Sequence, residues 1–173
     1  AQAPSGFFYG IGDGTHWYGD GFLEPHPFRM HMVRKSADAL VFFIKQFRLI
    51  EARGQAVPET WKVGSRRLAD AFVRLWETSG QFGQFVDVET GELLVGGSTA
   101  GAMAPAGLAL AAAYFDTPRY LAVATAAAEQ YVARDMTRGI TTGGPGEILQ
   151  CPDSESAFAL LESLTTLWQA TGS

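Results

Sequence analysis

Cysteine occurs once, as Cys151, so neither an internal disulfide framework nor a multi-cysteine zinc site can be built. Histidine occurs three times, and His16, His26 and His31 all fall in the first 31 positions. Basic residues are outnumbered, 13 Lys and Arg against 18 Asp and Glu, for a net charge of −5. The basic excess expected of a nucleic-acid binder is missing, so no nucleic-acid partner is expected. Long apolar runs are missing too. Residues 100–115 form the most apolar stretch, but Pro105 interrupts it and it falls short of the ~20 residues that span a bilayer, so no membrane span is expected. The chain does not open on a basic region followed by an apolar run, as a secretory signal does. The opening Ala-Gln-Ala-Pro reads equally as the scar of a cleaved signal or as an arbitrary boundary, which leaves the compartment, cytoplasmic or exported, open.

The 173 residues are 47% hydrophobic, enough to bury a core in one domain. Residues 1–31 are rich in Gly, aromatics and acids and read as a loop segment with a functional role. Five helical stretches follow. The first, about 33–53, places Val33, Ala37, Leu40, Val41, Ile44 and Phe47 at 3.6-residue spacing. Its run 39–44 is apolar all round, which predicts two buried faces. The second, about 58–79, carries Trp61, Leu68, Phe72, Leu75 and Trp76. Segments 84–88 and 93–95 flank Glu89-Thr90-Gly91-Glu92 and read as a short β-hairpin whose acids are solvated. Alanine-rich helices at about 102–115 and 118–137 suit close packing, and a last helix at about 154–171 carries Ala157, Leu160, Leu161, Leu164, Leu167 and Trp168. The expectation is an all-α domain of stacked antiparallel helical hairpins, with one short hairpin and long Gly/aromatic loops.

Two stretches, GQFGQFVDVETGELLVGGSTAGAMAPAGLALAAAYF and GITTGGPGEILQCPDSESAFALLESLTTLW, resemble bacterial six-hairpin glycosidase-like proteins. The resemblance implies an (α/α)6 toroid, in which six helical hairpins ring a cavity, and action on poly- or oligosaccharides. Five helical stretches fill only part of such a ring. A second copy or the remainder of a longer chain would complete it.

Glycoside hydrolysis needs two carboxyl groups flanking the scissile bond. Asp153 and Glu155, in Cys151-Pro152-Asp153-Ser154-Glu155 at a loop-to-helix junction, are the catalytic candidates. An Asp and a Glu there also suit capping and the helix dipole. His16, Trp17, Asp20, Arg29, His31 and Arg34 are candidates for lining a substrate site. Aromatic rings stack on sugars, and Arg29 and Arg34 would grip a uronic acid in a bidentate manner. Glu147 and Gln150, in the second glycine-rich loop, would point inward. Asp13, His16 and Asp20 have hard-ligand chemistry but match no metal-binding spacing, so neither a metal nor a cofactor is expected. Residues 143–146 lack the Lys-Ser/Thr of a phosphate loop. Cys151 reads as a buried structural thiol. The competing function is a non-catalytic helical binding or assembly module derived from the same fold, with an uncovered apolar face.

Overall fold

The computed structural model describes residues 1–21, 28–143 and 149–172. Among them are five short strands, β1 (Ile11–Gly12), β2 (Trp17–Tyr18), β3 (Met30–Met32), β4 (Phe85–Asp87) and β5 (Leu93–Val95). Five α-helices accompany them: α1 (Val33–Ala52), α2 (Glu59–Ser79), α3 (Ala104–Phe115), α4 (Pro118–Tyr131) and α5 (Glu155–Thr171). A π-helical turn, Val132–Met136, continues α4.

The helix ends follow local chemistry. Gly80 and Gly172 stop α2 and α5 in the left-handed conformation, each donating its amide to the carbonyl four residues back. Pro105 and Pro118 sit in the first turns of α3 and α4, where the missing N–H costs nothing. Asp153 Oδ1 accepts the Ser156 amide at 2.6 Å, so Asp153 holds the first turn of α5.

Helix α3 is apolar on every side, and it becomes the hub. It packs against α1, α4 and α5 and, less extensively, α2, while α2 and α4 also touch each other. Its alanines and Gly107 permit close approach: a Cβ on Gly107 would stand 3.1 Å from the Leu40 side chain of α1. The core joins Leu40, Ile44 and Phe47 of α1 with Leu68, Phe72 and Leu75 of α2, Leu108 of α3 and Tyr120 and Tyr131 of α4. Phe72 meets Phe7 and Phe82 edge-on, at 5.2 and 5.5 Å between ring centres.

This architecture overturns the expectation of an all-α partial (α/α)6 toroid of stacked antiparallel hairpins. The domain is mixed α/β. Strand β3, from the segment read as loop, pairs with β4 in the register Met30↔Asp87, His31↔Val86 and Met32↔Phe85, so the expected hairpin β4–β5 grows into a three-stranded antiparallel sheet. Strands β1 and β2 form a second antiparallel ribbon. The helices gather around α3 rather than stacking as hairpins, because a helix without a polar face is most stable when surrounded.

Burial departs from the expected pattern on three helices. On α1 the spaced set is buried as expected, but Phe42 and Phe43 of the all-apolar run face solvent. Trp61 of α2 is also exposed, and on α5 Phe158, Leu161 and Trp168 are each at least 60% exposed. Asp87 of the hairpin is buried rather than solvated: Oδ1 accepts the Glu89 and Thr90 amides, and Oδ2 pairs with Arg29 at 2.7 Å. No helix among the described residues is long and apolar enough to cross a membrane.

Candidate functional site

Helices α1 and α5 flank α3 and enclose an open groove of about 360 Å³ with Met103 among its lining residues. Two ion pairs join the flanking helices. Arg34 Nη1 lies 2.7 Å from Glu155 Oε2, and Lys45 Nζ lies 2.7 Å from Glu162 Oε1. The pairs follow one another in the same sequence direction on both helices, so α1 and α5 run parallel. They are separated by about 16 Å along α1 and about 10 Å along α5 at 1.5 Å rise per residue. Phe42 and Phe158 line the groove and stay 62% and 69% exposed.

Asp38 stands one helical turn after Arg34, with Oδ2 3.8 Å from Arg34 Nε. Its Oδ1 is buried without a hydrogen-bond partner. Burial pushes the Asp38 carboxyl above its ordinary value; Arg34 opposes this and the nearby Glu155 charge adds to it. One guanidinium therefore sits between two carboxyls in unlike surroundings, Asp38 half-buried and Glu155 in water. Their common contact with Arg34 puts them no farther apart than about 9 Å, below the ~9.5 Å upper limit of glycosidase carboxyl pairs.

A second polar cluster lies beside the first turn of α1. The Asp20 carboxyl is 2% exposed; Oδ1 lies 3.2 Å from His31 Nδ1 and accepts the Met32 amide at 2.8 Å, and Oδ2 is 2.5 Å from Lys35 Nζ. His31 Nε2 is 2.7 Å from Ser36 Oγ, which also accepts the Phe8 amide at 3.3 Å. Burial drives the Asp20 carboxyl up, but His31, Lys35 and the Met32 amide outweigh it and bring it down to about 2. The order Asp–His–Ser is that of a hydrolase triad. Ser36 and His31 are each 1% exposed, however, and no substrate reaches them. The cluster ties the N-terminal segment to α1.

The candidate residues separate accordingly. Glu155 and Arg34 meet in the groove. Asp153 does not join them as a catalyst: Oδ1 is committed to the helix start and its other oxygen is buried. Asp20 and His31 are interior residues rather than substrate contacts. Arg29 is committed to Asp87, outside the groove. Trp17 is 55% exposed on the β1–β2 ribbon, with its ring packed against Gly12, and His16 is exposed beside Asp13. Gln150 donates its amide to Gln84 Oε1 and its side chain to the Gly96 carbonyl, so it braces the loop before α3. Glu147 and His26 lie outside the described residues. Cys151 is partly exposed rather than buried.

Sequence reasoning missed Asp38, Phe42, Lys45, Phe158 and Glu162. Arg34, Asp38, Phe42 and Lys45 recur at helical spacing on one face of α1, a signal hidden because the apolar run 39–44 was read as buried throughout. It also missed the tie between the loop before α3 and the π-turn. Arg134 grips Asp135 through Nε and Nη2, both at 2.8 Å, and Thr99 Oγ1 donates to Asp135 Oδ2 at 2.8 Å. Among the described residues no cluster of three His, Cys, Asp or Glu is placed to hold a metal. Asp13 instead accepts from the Thr15 and His16 amides and the Thr15 and Tyr18 hydroxyls. Comparison with protein-family models, with curated proteins and with solved structures finds no match to this chain.

Proposed function

We propose that this protein cleaves glycosidic bonds of an oligo- or polysaccharide in the α1–α5 groove, with Asp38 as the general acid and Glu155 as the carboxylate partner. The observation that carries this reading is the pair of carboxyls in opposite environments across Arg34. An acid must hold a proton while its partner is charged, and unlike surroundings achieve that division. Phe42 and Phe158 supply exposed rings of the kind on which pyranose faces stack.

The test is cleavage of a panel of oligosaccharides and aryl glycosides by the full chain and by the variants Asp38→Asn and Glu155→Gln. General acid–base catalysis is worth roughly 10²- to 10⁴-fold, and each variant is expected to lose about that much. Asp153→Asn is expected to weaken folding rather than act on chemistry. Cleavage that persists at full rate in both carboxyl variants removes the assignment.

One observation favours a second reading, an assembly module. Phe158, Leu161 and Trp168 form an exposed apolar stripe along α5. Sedimentation of the purified chain decides it: a monomer at all concentrations counts against assembly.

A further inference from the structure

The groove's charges bear on which sugars it accepts, and this step rests on the saccharide reading above. The described residues lining the groove include two cations, Arg34 and Lys45, and each is paired with a carboxylate. Glu162, at 39% side-chain exposure, neutralises Lys45, and Glu155 neutralises Arg34. The Asp38 carboxyl stands beside the second pair. Arg29, the other cation considered for gripping an acidic sugar, is bound to Asp87. A uronate carboxylate entering the groove would therefore find no unpaired cation among these residues. It would have to break an ion pair or lie against Glu155 and Glu162.

We infer that the groove selects uncharged glycans, and that Glu162, by holding Lys45, is the residue that excludes uronates. A neutral pyranose asks for what is present: apolar ring faces from Phe42 and Phe158, hydrogen-bond acceptors from the carboxylates, and donors from the guanidinium and ammonium groups. Glu162→Gln keeps the side-chain shape and frees Lys45. Because Glu162 is half-exposed and buries no unpaired group when changed, the variant retains the fold.

The experiment is calorimetric titration of the full chain at low salt with maltotriose, cellotriose and mannotriose, and in parallel with trigalacturonate and trimannuronate. The wild type is expected to bind at least one neutral trisaccharide more tightly than either uronate. Phe42→Ala and Phe158→Ala should each weaken that binding by roughly fivefold, the scale of one aromatic stacking contact. Glu162→Gln should raise uronate affinity about fivefold relative to neutral affinity, as one partly screened ion pair allows. That gain should fade at high salt and vanish in the double variant Glu162→Gln/Lys45→Met. A wild type that prefers uronates, or a Glu162→Gln variant with unchanged uronate affinity relative to neutral affinity, overturns the inference. If neither class binds, the inference and the saccharide reading fall together. Neutral binding without cleavage of any neutral substrate upholds the inference and removes the acid–base assignment alone.

Discussion

Asp20, packed beside the first turn of α1, and Asp38, one turn further along that helix, have surroundings that pull them in opposite directions. Burial dominates at Asp38 and raises its carboxyl, whereas His31, Lys35 and a backbone amide overcome burial at Asp20 and lower it to about 2. The consequences for stability have opposite signs. Asp20 binds its proton more weakly when folded, so its contribution is complete above the unfolded value near 4 and is lost as pH falls through about 2. By linkage this is worth about 2 kcal/mol at neutral pH. Asp20→Asn is therefore expected to lower stability by at least that much at pH 7, with the difference from wild type shrinking below pH 4; denaturant unfolding across pH measures it. Asp38 binds its proton more tightly when folded, so its favourable contribution exists at low pH and is lost as pH rises through its raised value. Asp38→Asn should leave the melting temperature at pH 7 equal to or above that of wild type while turnover disappears. A large fall in melting temperature would make Asp38 a structural residue instead.

Among the elements, α3 and α5 show how far the sequence could be read. The buried positions of α1 and the bounds of α1, α2, α3 and α5 follow closely from spacing, prolines and glycines, because those signals are local, whereas the fourth helix, expected to run to about 137, passes into the π-turn after Tyr131. The role of α3 follows from its lack of a polar face: it must be enclosed, and it packs against all four other helices. Ala111 is fully buried on α3, the helix enclosed by the other four. Ala111→Leu should cost roughly 1–3 kcal/mol by overpacking, read as an earlier unfolding midpoint with an unchanged denaturant slope. Strand β3 was not legible, since a three-residue strand has too little alternation to show a period, and its partner lies more than fifty positions away. The outward faces of α1 and α5 were not legible for the opposite reason. Phe42, Leu161 and Trp168 look like core residues by type, and only packing shows that nothing covers them. A further element-scale tie runs from Asp135 of the π-turn through Thr99 to Thr142, and Thr141 bonds Asp153 at the start of α5. Asp135→Ala should speed amide hydrogen exchange at Thr142 and Asp153, with α1 and α2 unaffected.

At the scale of the whole molecule, the polar chemistry gathers where α1 and α5 begin. Arg34 joins Glu155 there, and Lys35, the next residue, holds Asp20 and with it the segment leading to Trp17. Glu155 and Arg34 were both legible as functional candidates, but their pairing across 121 positions was not, and the other carboxyl beside Arg34 is Asp38 rather than Asp153. Asp153 is committed to the start of α5 through the Ser156 amide, whereas Asp38 stands beside Arg34, where burial raises its carboxyl. The central claim is that Asp38 keeps its proton where an ordinary aspartate has already ionised. Carboxyl-carbon NMR titration of the full chain measures this directly. The account predicts an Asp38 midpoint above that of a model aspartate, lowered in Glu155→Gln because a repelling charge is gone. A midpoint at or below the model value, or one that does not respond to Glu155→Gln, would contradict it.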